Sequence, residues 1–449
     1  MRISWLEISE RIKYELQQLE QEGINISELR SEWQQIENAN ISLDDFKNKA
    51  EEFYQKIENI FSSYKNYESE PSSWDEIVSQ CNIKTDTIPS FASSFIEDKI
   101  LGGWLGRSAG CLLGKPIEKT TRSGIRELLL SNGTWPISDY ITERGIPKSL
   151  LLKYPWNKHS GKESLKENIV CMTEDDDMNY PMINLSVYER YGKDFTTEDI
   201  IQTWMEMIPV LSTFTAERVA YLNTLNGILP PATATIRNPY REWIGAQIRA
   251  DIWGWISPAQ PSLAAEYAWR DARLSHICNG IYGEIFFAAL IAASFKYDDA
   301  RSVINEALSV VPPQSRFAGA IRFVLSMPIQ EQPWDKTVDS LYKEFGMYHW
   351  VHTINNAALV VAAIISSDGD YERAICNVVM GGWDTDSNGA TVGSIMGTMI
   401  GAEKLPPKWI SPLNNRIRSS LKGFDNASLS DLAVRTIKLA KFSDQKRKE

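Results

Sequence analysis

Apolar residues in the first 90 positions recur at steps of three and four, which is the spacing of amphipathic helices. The two series are Trp5, Ile8, Ile12, Leu16 and Leu19, and then Leu43, Phe46, Ala50, Phe53 and Ile57. Ser42 directly precedes the second series, with Asp44 and Asp45 in the next turn, so we expect it to cap that helix. The spacing predicts a helical appendage over residues 1–90, with two or three antiparallel helices, and the polar segment 64–76 is typical of a linker.

The pattern changes near residue 95. Glycine, alanine and tryptophan become more frequent, long helix-period segments follow one another, and the alternation typical of strands is rare. Residues 95–445 are therefore predicted to form one compact, all-α domain of many helices. Glycine recurs every fourth residue in two segments, at Gly102, Gly106, Gly110 and Gly114, and at Gly389, Gly393, Gly397 and Gly401. Glycine destabilises a helix by about 1 kcal/mol relative to alanine, so its repetition on one face predicts close packing against another backbone.

Charge and cysteine content narrow the functional classes. The net charge of −11 disfavours nucleic acid and anionic membrane surfaces as partners. The apolar segments are too short to span a bilayer, and the first twenty residues lack the apolar core of a secretory signal. Five scattered cysteines without a CxxC motif favour a cytoplasmic protein with buried thiols. Because the four histidines are also scattered, a bound metal is expected to be held mainly by oxygen.

Two acidic segments combine carboxylates with the start of an apolar helix. In the first, GGWDTDSNG at 381–389, the side chains of Asp384, Asp386 and Ser387 can direct three oxygens at one position. Hard divalent cations such as Mg²⁺ prefer oxygen ligands of this kind. For such a segment alone, however, helix capping and solvated charge are the more common explanation.

The second acidic segment contains four consecutive carboxylates, at residues 174–177, between apolar residues on both sides. A helix N-terminus favours one or two carboxylates, whereas four repel one another, and apolar flanks make their solvation costly. A bound cation would relieve that repulsion. The two segments lie far apart in the chain, so only folding can join them. Together they predict a shared dinuclear metal centre between helices.

These motifs resemble those of the ADP-ribosylglycohydrolase family. GGWDTDSNGATVGSIMG at 381–397 is similar to its carboxy-terminal signature, GGDTDT or GGDTDS followed by small residues. The EDDD at 174–177 stands where the family has TDDT, and GWLGRSAGCLLGKPIE at 103–118 resembles its GDAxG core followed by LG-x-P-x-E. The three motifs occur in the family's order over about residues 96–410, and the resemblance leaves the appendage uncovered.

The resemblance implies an all-α domain with two Mg²⁺ ions between facing helices, Mn²⁺ being an alternative metal. It also implies hydrolysis of a glycosidic bond at the ribose C1 of ADP-ribose. Carried over by position, the metal ligands would be Glu174, Asp175, Asp176, Asp384, Asp386 and Ser387. Glu118 matches the acidic residue beside the reacting ribose, and Glu118, Asp175 and Asp176 would be the catalytic residues.

Three positions depart from the family pattern. Glu174 and Asp177 replace the two threonines, and Arg107-Ser108 stands where the family commonly has Asp-Ala. An arginine at position 107 either removes a carboxylate from behind the metal or brings a cation toward a substrate phosphate, and the sequence leaves both readings open. These three departures bear on the identity of the substrate more than on metal binding.

Outside the acidic segments, the candidate substrate-binding residues are Arg107, His276 and Asn356. Ser275 precedes His276, but adjacent helical residues point about 100° apart, so a Ser-His nucleophile pair is disfavoured. His276 is instead expected to bond substrate or backbone. His349 and His352 can share a helix face, and capping of the helix that begins near Thr353 is favoured over metal ligation. One of the rings of Trp243, Trp253 and Trp255 is a candidate to stack on a base or sugar.

The sequence therefore predicts a magnesium-dependent hydrolase that acts on an ADP-ribosylated protein or small molecule. A related N-ribosyl hydrolase with a smaller riboside substrate, or a catalytically silent ligand-binding scaffold, are the alternatives. Residues 1–90 are expected to pack on the catalytic domain or to mediate oligomerisation.

Overall fold

A computed structural model describes residues 3–63, 69–81, 83, 86 and 89–445 of the chain, without the side chains of 62–63 and 441–445. The described residues are all-α, as predicted. The first helices are α1 (Ile8–Gln21), α2 (Ser27–Glu37), α3 (Leu43–Ser63) and α4 (Trp74–Gln80). The predicted linker 64–76 is described only from residue 69, and its last three residues already belong to α4.

The chain from residue 93 onward contains seventeen further α-helices among the described residues. They are α5 (Ser93–Gly114), α6 (Arg122–Ser131), α7 (Lys148–Lys153), α8 (Asp176–Tyr191), α9 (Thr197–Met207), α10 (Thr215–Leu225), α11 (Asp251–Trp255), α12 (Pro261–Ala272), α13 (Cys278–Ala293), α14 (Ala300–Leu308), α15 (Arg316–Ser326), α16 (Trp334–Phe345), α17 (Thr353–Ser367), α18 (Tyr371–Met380), α19 (Thr385–Ile400), α20 (Pro407–Ile410) and α21 (Leu429–Gln445). Two short antiparallel strands, β1 (Arg416–Ile417) and β2 (Ala427–Ser428), precede α21. No helix in these described ranges is both long and apolar enough to cross a membrane.

Helices α1 to α3 enclose a small apolar core of their own. Most of the predicted apolar positions lie in it: Ile12, Leu16, Leu19, Ala50, Phe53 and Ile57 are buried together with residues of α2. Ser42 caps α3 as predicted, because its hydroxyl accepts a hydrogen bond from the backbone N–H of Asp45 at 3.1 Å. Trp5, by contrast, precedes α1 and lies outside this core.

Helix α1 packs on the segment around Arg241 through buried ion pairs. Arg241 contacts Glu15 at 2.7 Å and Glu22 at 3.0 Å, and all three side chains are buried. Beside them, the Gln18 amide donates a hydrogen bond to Glu242 at 2.9 Å. Removing one partner of a buried pair leaves an uncompensated charge, so these contacts hold α1 in one orientation against the segment around Arg241.

The two glycine series bring the backbones of α5 and α19 into direct contact, as their spacing predicts. A Cβ atom added to Gly110 would lie 1.9 Å from the carbonyl oxygen of Gly389. One added to Gly393 would lie 2.1 Å from the carbonyl oxygen of Gly106. The helices run antiparallel, so the end of α5 lies beside the acidic start of α19.

Substitution of Gly110 by alanine is expected to destabilise the fold by about 1–3 kcal/mol or more, because overpacking against backbone is poorly relieved. Urea unfolding followed by circular dichroism measures the effect. Gly319→Ala in α15 is the matched control, since nothing lies within 4 Å of a Cβ at that position. Alanine is the better helix former, so the control is expected to be neutral or stabilising. Equal effects of the two substitutions would contradict the close packing of α5 and α19.

Candidate metal centre and active site

Two helix N-termini carry the acidic segments into the same buried region. Asp175 is the N-cap of α8, and its carboxylate accepts a hydrogen bond from the backbone N–H of Asp177 at 2.9 Å. Asp384 is the N-cap residue of α19. Asp175 thus satisfies a free N–H group in the first turn of α8, and both aspartates lie at the positive end of a helix dipole, which favours a helix start at these residues.

Folding joins the two segments as predicted, together with the end of α5. Oxygen atoms of Glu118, Asp384 and Asp386 lie within 4.8 Å of one another and form one cluster. A neighbouring cluster consists of Cys111, Asp175 and Asp177, whose ligand atoms are equally close. All of these residues are buried except Glu118, whose side chain is 12% exposed.

The structure brings some predicted ligands together and places others differently. Asp176 lines the cavity beside Glu118, Asp384, Asp386 and Ser387. The remaining predicted ligand, Glu174, belongs to neither cluster among the described residues; its carboxylate accepts a hydrogen bond from Asn179 at 2.9 Å. Asp177, which the sequence comparison treats only as a departure, lies inside and accepts a hydrogen bond from the Ser387 hydroxyl at 3.0 Å. The helical turn decides this, because it directs consecutive side chains to different sides.

Lys115 is a residue that the sequence analysis missed. It follows α5 directly, and its ammonium Nζ lies 2.5 Å from Asp175 Oδ2, 2.8 Å from Asp386 Oδ2 and 3.1 Å from Glu118 Oε2. Only 6% of this side chain is exposed. Lys115 stands inside the LGKPIE motif, so the sequence places it near Glu118. Its contact with carboxylates of two distant segments, however, depends on the tertiary structure.

Arg107 is fully buried and contacts two buried carboxylates. Its guanidinium contacts Asp251 Oδ2 at 2.7 Å and Asp177 Oδ1 at 3.4 Å. It also donates hydrogen bonds to the backbone carbonyls of Asp177 and Ile248, each at 2.7 Å from Nη2. All of these contacts are internal, and Arg107 does not line the cavity. The sequence leaves open whether Arg107 replaces a carboxylate behind the metal or binds a substrate phosphate. Its buried position favours the first alternative, in which the guanidinium supports the carboxylates from behind.

Burial and mutual repulsion perturb the carboxyl groups of the site. The pKa of Asp384 is raised well above its ordinary value by burial, and further by the charges of Asp386 and Glu118. Burial likewise raises the pKa of Glu118 and, together with the charge of Asp175, that of Asp177. A carboxyl group with a raised pKa resists ionisation, and a nearby cation relieves that resistance.

The predicted substrate-binding residues His276 and Asn356 lie in different surroundings. His276 is buried and does not line the cavity above the carboxylates; its Nδ1 lies 2.8 Å from the Ser275 hydroxyl. Asn356 supports the acidic segment, because its side-chain oxygen accepts hydrogen bonds from the Asp384 backbone N–H at 3.3 Å and from Asn388 at 2.7 Å. His352 caps α17 as expected, accepting from the backbone N–H of Ile354 at 3.2 Å.

A cavity of about 100 Å³ lies above the carboxylates and has aromatic walls. Its aromatic lining residues are Trp5, His159, Phe214, Trp243 and Trp350. Of the tryptophans suggested for stacking, Trp243 therefore reaches the cavity, whereas Trp253 and Trp255 do not line it. Trp5 comes from the appendage and packs edge-on against Trp243, with ring centroids 6.2 Å apart.

The donor set fits a hard divalent cation at the cluster of Glu118, Asp384 and Asp386. Three carboxylates converge there, and Asp386 Oδ1 is buried without a hydrogen-bond partner among the described residues. Such an oxygen is costly to bury unless it meets a cation. The Cys111 cluster fits less well, because burial keeps the pKa of its thiol well above the ordinary value and the sulfur neutral.

The fold and this site define an all-α protein with a buried, oxygen-rich centre suited to cations. The family model described as ADP-ribosylglycohydrolase matches residues 92–442, and the chain belongs to that family. It is accordingly a glycosidase, from a family that depends on metal. A solved structure titled ADP-ribosylglycohydrolase-related protein complex is similar, with 18% identity, 78% of this chain and 99% of that chain covered, and a TM-score of 0.47. A comparison with curated proteins finds no match.

Proposed function

We propose that this glycosidase uses a divalent cation, Mg²⁺ or Mn²⁺, to hydrolyse the glycosidic bond at ribose C1 of an ADP-ribosylated protein or small molecule. The observation that carries the proposal is the convergence of Glu118, Asp384 and Asp386 at the floor of an aromatic cavity. Carboxylates are the groups that commonly manage the oxocarbenium-like transition state of glycoside cleavage. The aromatic walls match the base and sugar faces of a nucleotide-like substrate.

The position of each side chain in the site suggests its role in the proposed reaction. Glu118, Asp384 and Asp386 hold the cation, which when bound would orient the ribose hydroxyls and lower the pKa of a water molecule. Glu118 and Asp176 both line the cavity and are placed to accept or return a proton. Asn157 donates a hydrogen bond to Glu118 Oε2 and so fixes the orientation of that carboxyl group. Asn356 holds the Asp384 backbone, because its side-chain oxygen accepts a hydrogen bond from that N–H group at 3.3 Å.

A second candidate, hydrolysis of a smaller N-riboside, is favoured by the size of the cavity. The cavity volume of about 100 Å³ lies well below the roughly 300–1,000 Å³ typical of pockets for drug-sized ligands. A substrate that places only its sugar and a small leaving group inside would fit. An ADP-ribosyl group would extend past the aromatic walls toward solvent.

A hydrolysis panel read by mass spectrometry separates these functions. It contains ADP-ribosyl-arginine, ADP-ribosyl-serine, NAD and simple ribosides, each with Mg²⁺, with Mn²⁺ and with chelator, and with Asp384→Ala as the blank. Metal-dependent release of ADP-ribose supports the first function and identifies the acceptor. Release of ribose from simple ribosides alone supports the second. Absence of turnover by metal-loaded protein would contradict both substrates and point to another glycoside, whereas absence of both turnover and metal binding would favour the silent scaffold.

Loss of the Trp5 ring is expected to weaken binding of substrates that carry a base. An aromatic contact contributes roughly 0.5–1.5 kcal/mol, so Trp5→Ala should raise KM about 2- to 10-fold with a smaller change in kcat. A riboside without an aromatic group should be affected less. Leu43→Ala, an exposed position of the same appendage, is the control and should leave both substrates unchanged. An equal rise in KM for both substrates would contradict a stacking role of Trp5.

A further inference from the structure

Lys115 lies where the two acidic clusters meet. Its ammonium contacts Asp175 of one cluster, and Asp386 and Glu118 of the other, at 2.5 to 3.1 Å. These three carboxylates come from three separate chain segments, and they surround one point. A divalent ion shared by Asp175 and Asp386 would need the same oxygens at about 2.0–2.6 Å. The ammonium and such an ion therefore compete for one position.

Charge is distributed unevenly between the clusters. Asp175 has the Lys115 ammonium beside it, and Asp177 has the Arg107 guanidinium at 3.4 Å, so each carboxylate of that cluster faces a cation of the chain. Asp177 also accepts a hydrogen bond from the Ser387 hydroxyl at 3.0 Å. Each carboxylate of this cluster therefore has a direct contact with a cation of the chain, although Arg107 also pairs with Asp251 at 2.7 Å.

The other cluster keeps an excess of negative charge. Its carboxylates are those of Glu118, Asp384 and Asp386, and of these Glu118 and Asp386 share the Lys115 ammonium with Asp175. Lys119 contacts Glu118 Oε1 at 3.3 Å, but its side chain is 54% exposed and water screens that contact. Asp386 Oδ1 remains buried without a hydrogen-bond partner in the described part of the chain. This cluster is the one that still requires a cation.

We infer that Lys115 takes the place of one of the two divalent ions, so that the protein binds a single ion at Glu118, Asp384 and Asp386. The inference rests on the metal dependence proposed above. The lysine is part of the chain and remains when the metal is chelated. One cation of the centre is therefore permanent, and only the other is exchangeable.

The test is metal stoichiometry, measured after equilibrium dialysis against Mn²⁺ by elemental analysis and by electron paramagnetic resonance. The wild-type chain is expected to bind one ion with the spectrum of an isolated Mn²⁺. Lys115→Met frees Asp175 and Asp386, so it is expected to bind two ions with a spin-coupled spectrum. Lys115→Gln provides a second variant of similar length, and both are purified with Mn²⁺ present. Lys119→Met is the matched control and should retain one ion.

Two ions in the wild-type chain, or one ion in both Lys115 variants, would overturn the inference. An absence of bound ion in the wild-type chain would overturn it together with the proposed metal dependence. Because stoichiometry is read without turnover, one ion in an inactive protein supports the role of Lys115 and counts only against the proposed substrate.

Discussion

Replacement of Asp384 by alanine is expected to abolish metal-dependent hydrolysis. Asp384 belongs to the cluster proposed to hold the cation, so its loss removes a direct ligand. Residues that only support a ligand already contribute about 10- to 100-fold to metal affinity or activity, so losing the ligand itself should reduce activity by more than about 100-fold. The rate of substrate cleavage at saturating Mg²⁺, measured by mass spectrometry, gives the effect.

The same substitution is expected to stabilise the metal-free protein. Burial, and then the charges of Asp386 and Glu118, raise the pKa of Asp384, which means that its ionised form is unfavourable in the folded chain. Removing the Asp384 carboxylate relieves that repulsion, so the unfolding temperature measured in chelator should be higher for the variant than for the wild-type protein. Added Mg²⁺ should raise the unfolding temperature of the wild-type protein but not of the variant, because only a bound ligand stabilises.

Asp139→Asn is the matched control for Asp384→Ala. Asp139 is 44% exposed and pairs with Lys166 at the surface, so its loss should change neither activity nor metal-induced stabilisation. Full activity of Asp384→Ala would refute the proposed metal centre. Loss of activity accompanied by a lower unfolding temperature in chelator would show instead that Asp384 acts through the fold.

Replacement of Arg107 by alanine is expected to destabilise the protein by about 3–5 kcal/mol, the range found when one partner of a buried ion pair is removed. Its side chain is fully buried, and it faces Asp251 at 2.7 Å and Asp177 at 3.4 Å. Without the guanidinium, both carboxylates lose a charged partner and two backbone carbonyls lose a hydrogen-bond donor. The free energy of unfolding in urea, with chelator present, measures the loss.

A double-mutant cycle distinguishes charge compensation from packing. If the Arg107–Asp251 pair carries the effect, Arg107→Met with Asp251→Asn should lose less stability than the sum of the two single substitutions. Arg126→Ala is the surface control, because Arg126 is 50% exposed and its pair with Asp335 should contribute at most about 1 kcal/mol. Additive losses at Arg107 and Asp251 would contradict the pairing.

Features that depend on neighbours in the chain were determined by the sequence. Ser42 as a helix cap and His352 at the start of α17 are local hydrogen-bonding arrangements, so spacing alone predicts them. The glycine repeat also predicts the close packing of α5 and α19, because a missing side chain at every fourth residue leaves one helix face open to a neighbouring backbone. The motifs at 103–118, 174–177 and 381–397 likewise predicted the family to which the chain belongs.

The tertiary structure decided which side chains share the site. Glu174 and Asp177 are three residues apart, yet the first contacts Asn179 and the second enters the cluster, because the turn into α8 directs them apart. Lys115 belongs to the acidic centre because the fold places Asp175 at the start of α8 and Asp386 in the first turn of α19 beside the end of α5. Trp5 lines the cavity because docking of α1 places it there. Electrostatic and aromatic contacts act between atoms close in space, and for these residues only folding sets that distance.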